Sequence, residues 1–155
     1  MSSIAAGTTT GTALVSTGDT TGTLVFQVNG TTTAVTLDTA KSMNLSGSYT
    51  EGVVAIGTVT TSNTLSLANG SFQTATLTAS TACTFTMPTA TAGKSFILLL
   101  KQAASTGNGT ATFTSVKWGT AGAPTITATA GKMDILSFVS DGTNWYGSIQ
   151  QGYTP

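Results

Sequence analysis

Threonine is the residue that most constrains this chain, because it fills roughly a quarter of the 155 positions. Its β-branched side chain favours the pleated, half-buried surface of a strand. Glycine, with 18 copies, adopts positive φ without strain and supplies the turns that join many short strands. The strong helix formers Glu, Lys, Arg and Gln are scarce. The sequence therefore predicts an all-β fold before any local pattern is considered.

Charged residues are equally informative through their scarcity. The chain has five lysines and five acidic residues, with no arginine and no histidine, and its net charge is zero. Nucleic-acid binding depends on clustered Lys and Arg, and membrane-surface binding depends on a basic amphipathic face. The longest apolar run, residues 96–100, is far shorter than the roughly 18 residues of a membrane span. We therefore expect neither a nucleic-acid partner nor membrane insertion.

The same scarcity of charge predicts self-association. A protein with a nearly uncharged surface and zero net charge has little electrostatic protection against association. Its exposed strand edges also lack the charged side chains that usually prevent pairing with other chains. We expect this surface to be covered by oligomerisation, with a homotrimer as the predicted state, or by packing into a larger particle.

Two Asn-Gly pairs predict β-hairpins, because a type I′ turn needs positive φ at both central residues. Asn29–Gly30 lies between β-prone runs within residues 23–37, and Asn69–Gly70 lies between similar runs within residues 65–77. Residues 38–52 are polar and typical of a loop. The predicted domains are therefore 1–50, an extended N-terminal arm with a hairpin, and 51–155.

The second domain is predicted to be an antiparallel β-sandwich or a jelly-roll-like fold. Strands at about 8–12-residue spacing are typical of that architecture. The residues at 95–100 are apolar at all positions but the first, so we expect a central strand buried on both faces. The last two strands should form a terminal hairpin. The predicted strands from residue 72 onward are 72–78, 82–87, 94–101, 110–114, 125–129, 133–139 and 145–150.

Catalytic and metal-binding groups are largely missing from the sequence. Without histidine there is no Ser-His-Asp triad, no Cys-His pair and no imidazole metal site. The single Cys83 excludes an internal disulfide and a zinc-thiolate cluster, and we expect a small buried side chain on a strand. Asp134 and Asp141 flank the predicted terminal hairpin, and Asp141–Gly142 is typical of a turn. We assign no catalytic, cofactor-binding or metal-binding residue and expect no enzyme.

Two other patterns raise binding hypotheses. Trp118 and Lys117 lie beside a glycine-rich loop and are the candidate residues for contact with a receptor or partner, although a core role for Trp118 is the stronger interpretation. Trp145 is predicted to fill the core. The Thr-x-Thr strings raise ice binding, but that function needs threonine ranks on a flat face, and the spacing in the sequence is irregular.

Two segments of the sequence have patterns that are recognisable beyond their turns and strands. Residues 7–37, which read GTTTGTALVSTGDTTGTLVFQVNGTTTAVTL, resemble segments of tailed-bacteriophage fibre and virion proteins. Residues 115–119 (SVKWG) and 123–147 (APTITATAGKMDILSFVSDGTNWYG) are similar to the end domain of such fibres. The resemblance implies a virion protein, commonly trimeric, without catalysis. The chain has no extended shaft, which suits a short fibre, a spike or a capsid decoration protein.

We therefore expect a non-catalytic virion structural protein, made in the bacterial host cytoplasm and assembled on the particle through its N-terminal arm. Its partners would be copies of itself and other capsid or tail proteins. The alternative is a receptor- or carbohydrate-binding module of a phage tail fibre. In that case a glycan or protein on the host surface would be the ligand.

Overall fold

The computed structural model describes residues 22–28 and 32–155. The predictions for residues 1–21 and for the Asn29–Gly30 turn lie outside this part of the chain. The chain divides into two compact units, Met1–Thr50 and Glu51–Pro155. Every regular element in the described residues is a β-strand, so the predicted all-β class is confirmed.

The first unit contains a small antiparallel sheet of strands β1 (Leu24–Val28), β2 (Thr32–Leu37) and β3 (Met43–Leu45), in that order. β1 and β2 pair as the predicted hairpin. A turn stabilised by a hydrogen bond from the Ser42 amide to the Asp38 carboxylate then leads into β3. Large apolar side chains of this sheet, Phe26 and Met43 among them, are exposed to solvent.

The second unit is built from two sheets, which we name the wide sheet and the narrow sheet. The wide sheet has six strands in the order β10-β12-β11-β8-β6-β4, and the narrow sheet has three in the order β5-β7-β9. The strands are β4 (Val53–Val59), β5 (Ser62–Thr64), β6 (Phe72–Leu77), β7 (Ala82–Thr86), β8 (Ser95–Lys101), β9 (Thr110–Phe113), β10 (Val116–Lys117), β11 (Met133–Ser140) and β12 (Trp145–Tyr153).

The chain alternates between the two sheets and so winds as a coil. Three successive coils, β4–β5, β6–β7 and β8–β9, each contribute one strand to each sheet. Corresponding strands pair in parallel: Val53 pairs with Phe72 and Phe72 with Ile97. The antiparallel hairpin β11–β12, which was predicted, extends the wide sheet beyond β8. This pattern is that of a short β-solenoid, in which each coil contacts mainly its neighbours.

The predicted antiparallel sandwich or jelly-roll-like arrangement is therefore wrong, and the Asn69–Gly70 turn shows why. Residues 65–71 do not form half of a hairpin. They carry the chain from β5 in the narrow sheet to β6 in the wide sheet. The buried Gln73 holds this loop, because its amide donates to the carbonyls of Ser66 and Gly70. A positive-φ residue, here Gly70, serves such a crossing as well as it serves a hairpin.

Two further strand predictions are corrected. β8 is central in the wide sheet, but its side chains alternate between buried and exposed, so only one face is covered. Residues 125–129 form no strand. Their backbone is instead held by side chains: the Thr127 amide donates to Asp134 and the Thr127 carbonyl accepts from Gln102. These bonds satisfy backbone groups that would otherwise need a ladder partner.

The core lies between the two sheets and is dense in aromatic rings. Phe85 stacks on Phe113 within the narrow sheet, with centroids 5.1 Å apart. In the wide sheet Phe96 stacks on Phe138 and meets Trp145 edge to face. Trp145 is only 2% exposed and its indole N–H donates to the Pro88 carbonyl, which confirms its predicted core role. The buried apolar residues are Val59, Leu65, Ala75, Leu77, Cys83, Phe85, Met87, Phe96, Leu98, Leu100, Ile126, Leu136, Phe138 and Trp145.

Candidate functional site

Among the described residues, Asp134 is the most deeply buried carboxylate, at 1% exposure. Its two oxygens accept hydrogen bonds from backbone amides: Oδ2 from Thr127 at 2.8 Å and Oδ1 from Gly152 at 3.0 Å. The Asp134 side chain thus links β11 to residues 125–129 on one side and to the end of β12 on the other. Both carboxylate oxygens accept hydrogen bonds from backbone amides, so Asp134 holds these segments together. We call this arrangement a clamp.

Gln102 forms a second clamp beside the first. Its amide N–H groups donate to the carbonyls of Gly109 and Thr127, and its Oε1 accepts from the Gly109 amide. The sequence pointed to Asp134 only as an acid beside the terminal hairpin, and it did not single out Gln102. The available signal was a polar residue at an inward position of an alternating strand, as in Met133-Asp134-Ile135-Leu136.

Asp141 forms the turn between β11 and β12, as the sequence predicted. Its Oδ1 accepts from the amides of Asn144 and Thr143, and its Oδ2 accepts from the Tyr146 hydroxyl. These bonds, those from Asn144 and Thr143 first, lower the pKa of Asp141 from 3.8 to about 2. The hydrogen bond that the Tyr146 hydroxyl donates to the Asp141 carboxylate, together with the negative charge of that carboxylate, raises the pKa of Tyr146. The carboxylate is thus held in its charged form as a turn anchor.

Cys83 lies on β7 with its side chain buried, and burial raises the pKa of its thiol. A raised pKa leaves less of the reactive thiolate at neutral pH. Within the residues that the structure describes, no group of three His, Cys, Asp or Glu side chains could hold a metal ion.

Trp118 and Lys117, the two candidate contact residues, have different surroundings. The Trp118 ring packs edge to face against Phe113 and Phe138 and lies over the backbone of Gly147. It is half-buried, whereas Lys117 on the edge strand β10 is exposed. Trp118 therefore covers one end of the aromatic core, and only part of its ring can meet a ligand.

The outer face of the wide sheet is unusually apolar. Val53 is 60% exposed, Val139 is 55% exposed and Ile97 is 37% exposed, although all three are aliphatic. On the strands β4, β6, β8 and β11, Lys101 is the one charged side chain that faces outward. A groove of about 350 Å³ crosses this face, lined by the small residues Ala55, Gly57 and Thr74 together with larger neighbours.

The outer face of the narrow sheet has the opposite chemistry, because threonine hydroxyls cover it. Ser62, Thr84 and Thr112 stand side by side in register on three strands. The Thr112 hydroxyl donates to that of Thr84 at 3.3 Å. Thr64 and Thr86 form the next rank. The irregular spacing in the sequence thus becomes regular in space over these three strands. Ice binding, which the sequence did not favour, is not tested by this arrangement.

The first coil leaves one end of the solenoid open in the second unit. Within the described residues, β4 pairs with β6 alone and β5 pairs with β7 alone, so both have a free edge. The inward-facing Asn63 on β5 has a buried Oδ1 atom that accepts no hydrogen bond from the described residues. Buried polar atoms normally have a hydrogen-bond partner. The free edges and the unpaired oxygen therefore suggest that this end of the solenoid is covered by a partner.

No protein-family model, curated protein or solved structure matches the chain. Among the described residues, none forms a helix of the length and apolar character needed to cross a membrane.

Proposed function

We propose that this chain is a non-catalytic structural protein of a tailed-phage virion, a short fibre or a capsid decoration protein. It assembles as a homotrimer and is attached to the particle through its N-terminal residues 1–50. It is synthesised in the bacterial host cytoplasm and functions in the virion. The resemblance of residues 7–37, 115–119 and 123–147 to phage structural proteins motivates the choice of particle.

The observation that carries the proposal is the open first coil. The free edges of β4 and β5 and the unpaired Asn63 oxygen lie at the end where the chain enters the second unit. Solenoids need a cap at each end for solubility, and an open end accepts further strands from a partner. A partner that binds at this end would cover both free edges.

Deletion of residues 2–22 tests the attachment. In the phage that encodes the chain, the deletion variant should be lost from purified particles, as measured by quantitative mass spectrometry. Replacement of the same residues by a Gly/Ser segment of equal length separates the role of their sequence from that of their length. Normal incorporation of both variants would contradict attachment through this segment.

The number of copies per particle separates the two kinds of virion protein. A decoration protein should be present in hundreds of copies and should stiffen the shell, whereas a fibre should be present in far fewer and should contact the host. Absence of the chain from purified particles would rule out both.

A receptor- or carbohydrate-binding module is the second candidate. The exposed ammonium of Lys117 beside the partly accessible Trp118 ring favours it. Aromatic faces bind sugars and proteins, and a neighbouring cation adds hydrogen-bond donors. A Lys117→Ala variant that binds host cells as the wild type does would remove this candidate contact.

A further inference from the structure

We infer that the open first coil is a docking site for an extended, uncharged segment of another virion protein, which pairs with β5 as a further strand. The inference rests on the attachment to the particle proposed above, and it specifies the surface and the chemistry of the partner. The site consists of the free edge of β5, the inward side chain of Asn63 and the half-buried apolar side chains of β4.

The backbone of β5 has hydrogen-bonding groups that point away from β7. The Thr84 amide donates to the Thr61 carbonyl, and the Leu65 amide also donates to β7. In a parallel pair, residues that bond to the neighbouring strand alternate with residues that face the other way. Ser62 and Thr64, both exposed, therefore present their N–H and C=O groups to the free edge. An extended segment can pair with these groups as a strand added to the sheet.

Asn63 defines what the partner has to supply. Its side chain faces inward, because it pairs in register with the buried Phe85. Its Oδ1 atom is buried and accepts no hydrogen bond from the described residues. Phe85 has no side-chain donor, so a donor in this row has to come from beyond the free edge. An Asn, Gln, Ser or Thr at the matching position of an added strand supplies that donor and removes the cost of the unpaired oxygen.

The inward side chains of β4 are covered on one side only. Val54 lies in the same row as Gln73 of the second coil and Leu98 of the third. Gln73 and Leu98 are 1% and 0% exposed, whereas Val54 and the nearby Ile56 are half-buried. The difference follows from their place at the end of the core, where no further coil packs on them within the described residues. Apolar side chains from a partner therefore gain the free energy of burying this surface.

The absence of charge at this end selects an uncharged segment. No Asp, Glu, Lys or Arg lies in residues 52–93, which include the first two coils. Proteins normally protect a free edge with charged side chains, with proline or with a covering segment. The strands β4 and β5 contain neither a charge nor a proline. A charged partner residue next to them would lose hydration without gaining an ion pair.

The opposite end of the solenoid differs in both respects. Beyond β8 the chain itself continues the wide sheet with β11 and β12, and Trp118 packs against Phe113 on the last strand of the narrow sheet. Charged residues also return at this end, with Lys117, Asp134 and Asp141. Within the described part of the second unit, the first coil has neither cover nor charge. The chain thus closes one end of its core and leaves the other for a partner.

Hydrogen exchange of the full chain, free and in purified particles, tests the docking by mass spectrometry. The amides of Ser62 and Thr64 should exchange rapidly in the free chain and roughly 100-fold more slowly in the particle, because strand pairing protects them. The exposed loop at residues 119–121 is the control and should exchange alike in both.

Thr64→Pro removes the amide that faces the free edge, and proline is tolerated at such a position of an edge strand. Thr64→Val is the matched control, because it keeps the amide and the shape of the side chain. Incorporation of Thr64→Pro into particles should fall about tenfold or more, because the added strand loses a backbone partner. Thr64→Val should be incorporated as the wild type is, and thermal unfolding of both free variants checks that they fold.

Asn63→Leu keeps the test valid if the proline variant fails to fold. It removes the unpaired buried oxygen, so the free chain should unfold at the same or a higher temperature than the wild type. Incorporation should nevertheless fall, because the donor of the partner then has no acceptor. An asparagine with a purely structural role would give the reverse, a lower unfolding temperature with normal incorporation of the folded chain.

A synthetic peptide tests the edge outside the particle. The sequence of residues 60–66, TTSNTLS, places an amide in register with Asn63 and hydroxyls on the outer face. In an NMR titration of the full chain at millimolar peptide, the amide signals of Ser62 and Thr64 should shift. A peptide with leucine in place of the asparagine should shift them less.

The outcomes separate the docking from the proposed function. Particles that contain the chain, with fast exchange at Ser62 and Thr64 and normal incorporation of Thr64→Pro, overturn the docking and leave the virion role standing. Slow exchange of these amides in the free chain, with or without a dimer in native mass spectrometry, would assign the edge to the chain itself and overturn the partner. Absence of the chain from particles overturns the proposed function, and the peptide then decides: unshifted Ser62 and Thr64 signals contradict the docking.

Discussion

The Trp118 ring lies so close over Gly147 that a Cβ atom added to the glycine would come within 2.5 Å of it. Gly147 lies on β12 opposite Phe138, and Trp118 also contacts the Phe138 ring. The closeness of ring and backbone is thus possible only because residue 147 has no side chain.

Gly147→Ala should therefore destabilise the protein by about 1–3 kcal/mol, because the tryptophan must leave its packed position against Phe113 and Phe138. Chemical denaturation followed by tryptophan fluorescence measures the change. Gly119→Ala is the matched control, since no atom lies within 4 Å of its added Cβ. Equal unfolding free energies for the two variants would show that Trp118 does not depend on Gly147.

Asp134→Ala should cost about 1–3 kcal/mol, because it leaves the part-buried amides of Thr127 and Gly152 without their acceptor. Ser137→Ala, on the outward side of the same strand, should change stability by less than about 0.5 kcal/mol. Urea unfolding of both variants provides the comparison. Hydrogen exchange should also show faster exchange of the Thr127 amide in Asp134→Ala, and protection equal to wild type would contradict the clamp.

The sequence predicted which residues form strands far better than it predicted how the strands pair. Alternation identifies the buried face of 72–77 or 133–140, but it is the same for parallel and antiparallel neighbours. Asn69–Gly70 has the pattern of a hairpin and serves as a crossing between sheets. The coils also differ in length, so no fixed sequence repeat indicates that Thr84 lies in register with Thr112.

The hydrogen-bond partners of the two buried polar side chains could not be derived from the sequence for a related reason. Asp134 and Gln102 act on backbone groups of residues 109, 127 and 152, which are close only after the coils have formed. Asp141 was predictable because its partners lie within five residues of it. Hydrogen bonds between residues close in sequence can be predicted from the sequence. Hydrogen bonds between different coils can be predicted only when the order and pairing of the strands are known.

Asp141 makes stability depend on acidic pH. Its pKa falls from 3.8 to about 2 on folding, so the turn stabilises the protein at pH above about 4, and this contribution is lost as the pH falls toward 2. Thermal unfolding of wild type and Asp141→Asn between pH 2 and 6 measures it. The difference in unfolding temperature should shrink as the pH falls. A difference independent of pH would contradict the lowered pKa.

The Tyr146 hydroxyl contributes to this shift after the two backbone amides. Tyr146→Phe should therefore raise the pKa of Asp141 toward 3.8 without restoring it fully, because the bonds from Asn144 and Thr143 remain. An NMR titration of the Asp141 carboxyl carbon in both proteins measures the change. The same pKa in both would show that the hydroxyl does not act on the carboxylate.

Substitutions at Trp118 and Lys117 should have separable effects. Trp118→Ala should destabilise the protein by about 2–4 kcal/mol, because it uncovers Phe113 and Phe138, whereas Lys117→Ala removes an exposed side chain and should cost less than about 0.5 kcal/mol. Loss of host-cell binding in Trp118→Ala alone therefore reports damage to the core. If these residues contact a receptor, Lys117→Ala should weaken binding at wild-type stability, measured by cell binding alongside denaturation. Wild-type binding by a folded Lys117→Glu variant would exclude the site, because reversing the charge opposes any contact that the lysine makes.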